Sequence, residues 1–240
     1  MAAPTHIRET RDFARELKFL VDKAVGDEIR AWARGRLAPD PFGGREAGDS
    51  YATTSLYFET ADLCVYKRRG SYGRAKYRVR RYGLADNIWV ERKLRTDTLL
   101  AKRRTPVGLD GLERLGSDTL DPGWPGYWFH ARIRRRHLRP RVQVSYERTA
   151  RLGRNDYGTI RLTLDDNLRS LPMPDRAFLP GTGYPLLDAQ NILELKYRIE
   201  MPAIFKELVE RFKLQPQPVS KFRLGLDAMG YLPVPARTTR

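Results

Sequence analysis

The sequence has little of the side-chain chemistry on which disulfide-linked and zinc-binding proteins depend. It contains one cysteine, Cys64, and three scattered histidines, His6, His130 and His137. One cysteine forms neither a disulfide framework nor a cysteine-based metal site, and the histidines lack the spacing of a zinc centre. No apolar run approaches the ~18 residues of a membrane-spanning helix. The first residues also lack the apolar core of a signal peptide, so we expect a soluble cytoplasmic protein without a membrane segment.

Acidic residues are scarce beside basic ones. The 240 residues include 45 Lys and Arg against 29 Asp and Glu, which gives a formal net charge of +16. This balance favours a polyanionic partner: nucleic acid, polyphosphate, nucleotide or an anionic membrane surface. Hydrophobic residues make up 41% of the chain, which is enough for a sizeable core, and no linker interrupts it. We therefore expect one domain over residues 1–240, with a frayed tail over residues 233–240.

The stretch RAKYRVRR at residues 74–81 predicts a strand with one cationic face. Its side chains alternate, and Ala75, Tyr77 and Val79 form the apolar side. The other side carries only cations: Arg74, Lys76, Arg78 and Arg80. Like charges in a row repel one another, so this face must meet either water or a polyanion. One such strand leaves both interpretations open.

The alternation recurs and predicts an α+β fold built on an antiparallel barrel of about eight strands. Glutamate and lysine share a face in three of the strands: Glu16 with Lys18, Glu91 with Lys93, and Glu194 with Lys196. Two amphipathic helices and an aromatic middle segment are available to cover the apolar faces. The charged faces then line a tunnel, with the helices packed outside. The alternative is a solvated sheet face with ordinary cross-strand ion pairs.

A few carboxylates among many cations indicate phosphate chemistry. Lysine and arginine bind phosphate oxygens, and a hard carboxylate binds a divalent cation that bridges those oxygens. The glutamates also argue against a nucleic-acid surface, because they would repel its backbone. We therefore expect no nucleic-acid partner.

The ordered series RELKF, SLYFET, RAKYRVR, WVERK, AKRR, YERTA, IRLTLD, LELKYR and SKFRLG resembles the VTC domain. This is the polyphosphate polymerase branch of the triphosphate tunnel metalloenzymes, within the CYTH-like superfamily. The resemblance runs in order from about residue 13 to residue 230. It implies a tunnel of antiparallel strands, ATP as phosphoryl donor, a Mn²⁺ or Mg²⁺ cofactor, and inorganic polyphosphate as product.

The resemblance also assigns residues by position. It makes Glu194 the metal ligand and Lys221 the terminal lysine that reaches the tunnel mouth. The phosphate ligands it implies are Lys18, Arg78, Arg80, Lys93, Lys102, Arg148 and Arg161. The implied catalytic set contains Lys221 and all of these phosphate ligands except Lys102. Lys221 also belongs to the implied phosphate-binding set. Arg74, Lys76 and Lys196 face the same way and join that set, while Glu16 and Glu91 share that face.

One departure separates the chain from the hydrolytic relatives, such as thiamine triphosphatases, which begin with Glu-x-Glu-x-Lys. The matching positions here are Ala14, Glu16 and Lys18, so one carboxylate is absent. This favours phosphoryl transfer to a phosphate acceptor over hydrolysis. Two alternatives stay open: a triphosphatase acting on inorganic or nucleoside triphosphate, and a non-catalytic module that binds polyphosphate or nucleic acid.

Overall fold

The computed structural model describes residues 7–9, 14–41, 49–95, 100–173, 176–180 and 183–230. The predicted frayed tail over residues 233–240 lies outside this part of the chain. Within it, no helix is long and apolar enough to cross a lipid bilayer.

One antiparallel sheet organises the described chain. Its strands are β1 (Ile7–Glu9), β2 (Ala14–Asp22), β3 (Ala38–Pro39), β4 (Ser50–Glu59), β5 (Ala75–Tyr82), β6 (Asn87–Arg95), β7 (Leu100–Gly108), β8 (Arg139–Asn155), β9 (Gly158–Pro172), β10 (Tyr184–Pro185) and β11 (Gln190–Arg198). Nine of them lie side by side in the order β1-β7-β6-β5-β4-β8-β9-β11-β2, while β3 pairs with β8 and β10 with β9. The predicted antiparallel α+β fold is confirmed, with nine strands in the main run where the sequence predicted eight.

Two helices cover the outer face of β2, β9 and β11. They are α1 (Lys23–Arg34) and α4 (Ala203–Arg211). Phe19 of β2 and Leu195 of β11 are buried in the same hydrophobic cluster as Ile29 of α1 and Phe205 of α4. This packing confirms that the amphipathic helices bury apolar strand faces, which leaves the opposite faces for the charged residues.

The aromatic middle segment covers the outer face of β4 and β5. It contains α2 (Gly111–Arg114) and α3 (Tyr127–Arg135). The ring of Phe129 in α3 contacts the edges of Phe58 and Tyr77, with ring centroids 5.5 and 5.9 Å away. Tyr77 therefore points outward, as its parity within RAKYRVRR predicts.

The last helix, α5 (Lys221–Ala228), lies on the opposite, inner face of the sheet. Along β8 that face is apolar at Val142 and Val144 and becomes polar at Tyr146 and Arg148. Gly225 brings α5 onto the apolar half, where an added Cβ would lie 2.9 Å from the Val144 side chain. Ser220 caps the helix, since its hydroxyl accepts a hydrogen bond from the Arg223 backbone amide.

One predicted strand residue lies outside its strand. Arg74 ends a 3₁₀ helix over Gly70–Arg74, its side chain is exposed, and β5 begins at Ala75. The prediction that Arg74 shares the strand face of Lys76 is therefore wrong. The reason is local: Gly70 has a φ of +47°, and Gly73 lies so close to Arg68 that a side chain at position 73 would clash.

Candidate functional site

Among the described residues, at least eleven cations and four carboxylates lie on the inner face of the sheet. Strand register places each strand residue on the same side as its paired neighbours, and α5 adds one lysine. The cations are Lys18, Lys76, Arg78, Arg80, Lys93, Lys102, Arg104, Arg148, Arg161, Lys196 and Lys221. The carboxylates are Glu16, Glu91, Asp165 and Glu194. The face therefore carries a large positive excess.

Two glutamates and three lysines of β2, β11 and β6 form a continuous ion-pair network. Lys18 Nζ lies 3.0 Å from Glu16 Oε1 and 3.5 Å from Glu194 Oε2. Lys196 Nζ lies 2.8 Å from Glu194 Oε1, and Lys93 Nζ lies 2.9 Å from Glu16 Oε2. The two carboxylates thus share a ring of ammonium groups.

The lysines keep both glutamates ionised. Burial raises the pKa of Glu16, as does the neighbouring Glu194, but Lys196, Lys18 and Lys93 lower it to about 2. Burial likewise opposes ionisation of Glu194, and the surrounding cations nevertheless hold its pKa well below the usual value. Burial alone would lower the pKa of Lys18, but Glu194 and Glu16 raise it. All three groups are therefore charged at neutral pH.

A second cluster lies on β5, β6 and β7. Arg78 donates to Glu91, with its terminal nitrogen 2.5 Å from Oε2, and Lys102 lies 3.7 Å from Oε1. Arg80 Nε donates to Ser55 Oγ across 3.0 Å and is 4% exposed. Burial raises the pKa of Glu91, but Arg78, Lys102, Arg80 and Arg104 lower it far more strongly. One carboxylate thus partly neutralises several cations.

A third cluster joins β8, β9 and α5 around Asp165, which is fully buried. Arg148 donates to it in a bidentate pair of 2.6 and 2.8 Å, and Lys221 Nζ lies 2.5 Å from Oδ2. Burial raises the pKa of Asp165, but Arg148 and Lys221 lower it to about 2. The hydroxyl of Tyr146 is buried nearby and has no hydrogen-bond partner among the described residues. The ammonium of Lys221 lies 4.9 Å from the centroid of the same tyrosine ring, so this ring lines the Asp165 cluster.

The two ends of the inner face differ. At one end, beside α5, Lys76 Nζ lies 2.8 Å from Ser220 Oγ, and the rings of Tyr57 and Phe222 pack with centroids 5.5 Å apart. At the other end, Arg161 lies 2.5 Å from Asp40 and donates to the Tyr51 hydroxyl across 3.1 Å. The α5 helix covers the first end.

The structure brings nearly all of the sequence-predicted site residues onto one face. Arg74 is the exception among them, since it lies on the exposed 3₁₀ helix. Lys221 is brought to the face by α5 and is buried against Asp165. Asp165 was not among the predicted site residues, although it is in phase with Arg161 in the stretch IRLTLD. Arg104 was not among them either, although it is in phase with Lys102. What each predicted residue does chemically stays a prediction.

The carboxylate arrangement limits how a metal ion could bind. Among the described residues no three His, Cys, Asp or Glu side chains cluster closely enough to enclose a metal ion. Glu16 and Glu194 do share Lys18 and Lys196, so their oxygens lie in one region. Mg²⁺ is usually held by one or two carboxylates plus substrate phosphates, so this donor set fits a divalent cation that arrives with a phosphate ligand.

An α+β protein with a curled antiparallel sheet and a cation-lined inner face belongs to a tunnel-type class, and solved structures show the same fold. A candidate adenylate cyclase from Bacillus halodurans matches with a TM-score of 0.54 and 17% identity, over 87% of this chain and 93% of that one. A protein from Pyrococcus horikoshii matches with a TM-score of 0.50 and 10% identity, over 90% and 99%. No curated protein gives a significant sequence match. The VTC domain family model matches residues 13–230, and the chain therefore belongs to the VTC domain family.

Proposed function

We propose that the protein is a metal-dependent polyphosphate polymerase, which transfers the γ-phosphate of ATP to a growing inorganic polyphosphate chain. The observation that supports this most directly is the inner face itself, on which the described cations far outnumber the described carboxylates. Membership of the VTC domain family supports the same class of triphosphate chemistry.

The proposed reaction balances without a further reactant. A terminal phosphate oxygen of the polyphosphate chain attacks the γ-phosphorus of ATP, and a new P–O–P bond forms. The bond from the γ-phosphorus to the β,γ-bridging oxygen breaks, and ADP leaves with that electron pair. The attacking oxygen is already anionic at neutral pH, so no side chain needs to remove a proton. This agrees with an inner face whose described strands carry no histidine.

The work of the protein is then positioning and charge neutralisation. Arg78, Arg80 and Lys18 would bind phosphate oxygens, and Arg148 and Lys221 would do so at the Asp165 cluster. Each of these cations already contacts a carboxylate or a hydroxyl, which holds its side chain in place before the ligand arrives. Glu194, with Glu16, would hold a divalent cation, and that cation would neutralise charge on the donor phosphates.

The test is incubation with ATP and Mn²⁺, followed by a gel that separates polyphosphate from free phosphate. The proposal predicts long chains and a matching release of ADP. Free phosphate without chains would instead identify a triphosphatase. Binding of triphosphate without turnover would identify a binding module. Arg81→Ala is a suitable control, because Arg81 points away from the inner face and donates to the carbonyls of Ala85 and Leu84.

A further inference from the structure

An aromatic residue stands on the inner face at the end away from α5. Trp89 of β6 has the parity of Glu91 and Lys93, and the register places it opposite Arg80 on β5 and Pro106 on β7. It is half-buried. An indole ring offers phosphate oxygens a single neutral N–H donor and no positive charge, so the proposed phosphoryl transfer alone gives little reason for a tryptophan here.

Trp89 is paired with a cation that has spare hydrogen-bonding capacity. The Arg104 guanidinium carbon lies 3.6 Å from the centroid of the Trp89 ring, which is close stacking. The Nε of Arg104 is buried and has no hydrogen-bond partner among the described residues. Arg104 also faces Glu91 across the β6–β7 pair. The arginine therefore connects the indole to the charged part of the site.

Two further aromatic rings lie at the same end. Tyr82 of β5 and Tyr51 of β4 pack edge to face with ring centroids 5.8 Å apart. The Arg80 guanidinium lies 5.9 Å from the Tyr82 ring centroid, and Arg161 donates to the Tyr51 hydroxyl. Each of the two rings thus has an arginine beside it, as Trp89 does. Alternating aromatic and basic side chains are typical of sites that stack a base and neutralise a phosphate backbone.

This aromatic end lies next to a solvent-exposed turn and at a suitable distance from the cations. The turn between β5 and β6 projects into solvent, and Leu84 within it is 86% exposed. From Trp89 to Lys93 is about 13 Å along the strand. A ligand with a flat base and a polyphosphate tail can therefore place the base at Trp89 and the phosphates among the inner cations.

We propose that Trp89, supported by Arg104, stacks the nucleobase of the phosphoryl donor. The proposal rests on the proposed function, in that a nucleoside triphosphate is the donor. It also orients that donor: the nucleoside lies at the aromatic end, beside Tyr82 and Tyr51, and the γ-phosphate points toward α5. A purine, which has the larger flat surface, should bind better than a pyrimidine.

The experiment compares two ligands by calorimetry: inorganic tripolyphosphate and the non-hydrolysable β,γ-imido analogue of ATP. Trp89→Leu should raise the dissociation constant of the ATP analogue about tenfold or more, as expected for loss of one base–aromatic stack. It should change tripolyphosphate binding less than twofold. Trp89→Phe keeps an aromatic ring and should retain most of the affinity.

Trp128→Leu is the matched control. Trp128 also stacks on an arginine of β7, with the Arg103 guanidinium carbon 4.2 Å from its ring centroid. Arg103 has the opposite parity to Arg104, so this second stack is on the outer face. The substitution should leave the ratio of the two ligand affinities unchanged. An equal change of that ratio in both variants would overturn the proposal.

The wild-type protein supplies a second measurement that needs no substitution. Affinity should fall from the purine triphosphate to the pyrimidine triphosphate and again to ribose triphosphate, which has no base. Equal affinities for the three triphosphates would overturn the nucleobase site. An equal loss of affinity for tripolyphosphate and for the ATP analogue in Trp89→Leu would also overturn it. Base-dependent binding without polyphosphate synthesis would overturn the polymerase proposal alone.

Discussion

Lys93 of β6 donates to Glu16 of β2 across 2.9 Å, although the strands β5, β4, β8, β9 and β11 separate the two in the sheet. A flat sheet would hold these residues several strand spacings of ~4.8 Å apart. The contact therefore shows that the sheet curls round its charged face. It also explains why a face so rich in cations is not simply a solvated surface.

The first prediction concerns Glu194, one of the two carboxylates in the lysine network. Glu194→Gln should abolish turnover and leave tripolyphosphate binding intact, because it removes the proposed metal ligand but none of the proposed phosphate ligands. ATP turnover at saturating Mn²⁺ measures the first effect, and calorimetry the second. Glu147→Gln is the control, since Glu147 is exposed on β8. Turnover within about threefold of wild type would contradict the assignment of Glu194.

The second prediction tests the strand register of β5. Arg78→Ala and Arg80→Ala should each weaken tripolyphosphate binding by about 1.5–3 kcal/mol, as expected for loss of a charge-assisted hydrogen bond. Arg81→Ala should be nearly silent, since its side chain donates to the turn carbonyls of Ala85 and Leu84. Calorimetric titration with tripolyphosphate measures the affinity of each of the three variants. A larger loss at Arg81 than at its two neighbours would mean that β5 presents the other face.

The third prediction is a loss of affinity above pH 8, and it begins with Lys76. Burial lowers the pKa of Lys76 to about 8, and the nearby cations Lys18, Lys93 and Arg223 add to the effect while Tyr57 opposes it. Burial raises the pKa of Tyr57, but Arg78, Arg80 and Lys221 lower it to about 8. Above pH 8 the site therefore loses a positive charge at Lys76 and gains a negative one at Tyr57.

Tripolyphosphate affinity should accordingly fall on the order of tenfold between pH 7.5 and pH 9. Stability of the free protein should change in the opposite direction. Both folded pKa values lie below the unfolded ones, so the unfolded chain binds more protons above pH 8 and these groups make stability rise with pH. In the double variant Lys76→Arg with Tyr57→Phe, the charge at these two positions stays constant above pH 8. If the tripolyphosphate affinity of this double variant fell with pH as steeply as that of the wild type, these two groups would be excluded as the cause of the loss.

The fourth prediction uses the mutual repulsion of the inner cations. A polyanion that binds only the folded form, at ~100 times its dissociation constant, stabilises it by about 2.7 kcal/mol. For a chain of this length the melting temperature should rise by roughly 5–10 °C. Tripolyphosphate and short polyphosphate should do this, and sulfate should do it weakly. Thermal shifts at fixed ionic strength measure it, and equal stabilisation by an RNA oligomer would favour an open binding surface instead.

The fifth prediction concerns the helix that covers one end of the site. Gly225→Ala places a methyl group 2.9 Å from the Val144 side chain and 3.0 Å from that of Val142, so α5 must shift. We expect a loss of stability of about 1–3 kcal/mol, as for overpacked cores. Gly35→Ala is the control, because its nearest neighbour is 3.9 Å away. Denaturant unfolding compares the two, and equal midpoints would show that α5 does not depend on this close approach.

Strand by strand, the sequence was sufficient to predict the charged face. The alternation in RAKYRVRR and in the three Glu-x-Lys strands assigns the face of Lys76, Glu91 and Glu194 without any distant contact, because side-chain direction in a strand has a period of two. The same local rule failed at Arg74, where glycine-dependent backbone geometry makes the extended segment begin one residue later than predicted.

The tertiary structure decided which charges meet. The pairing of Lys93 with Glu16 and of Lys221 with Asp165 depends on strand order, on the curl of the sheet and on where α5 lies. The members of the first pair are 77 positions apart in the sequence and those of the second pair are 56 positions apart, so no local pattern encodes either contact. The amino-acid sequence by itself therefore determined which faces are charged, while only the non-local packing determined that those faces enclose one site.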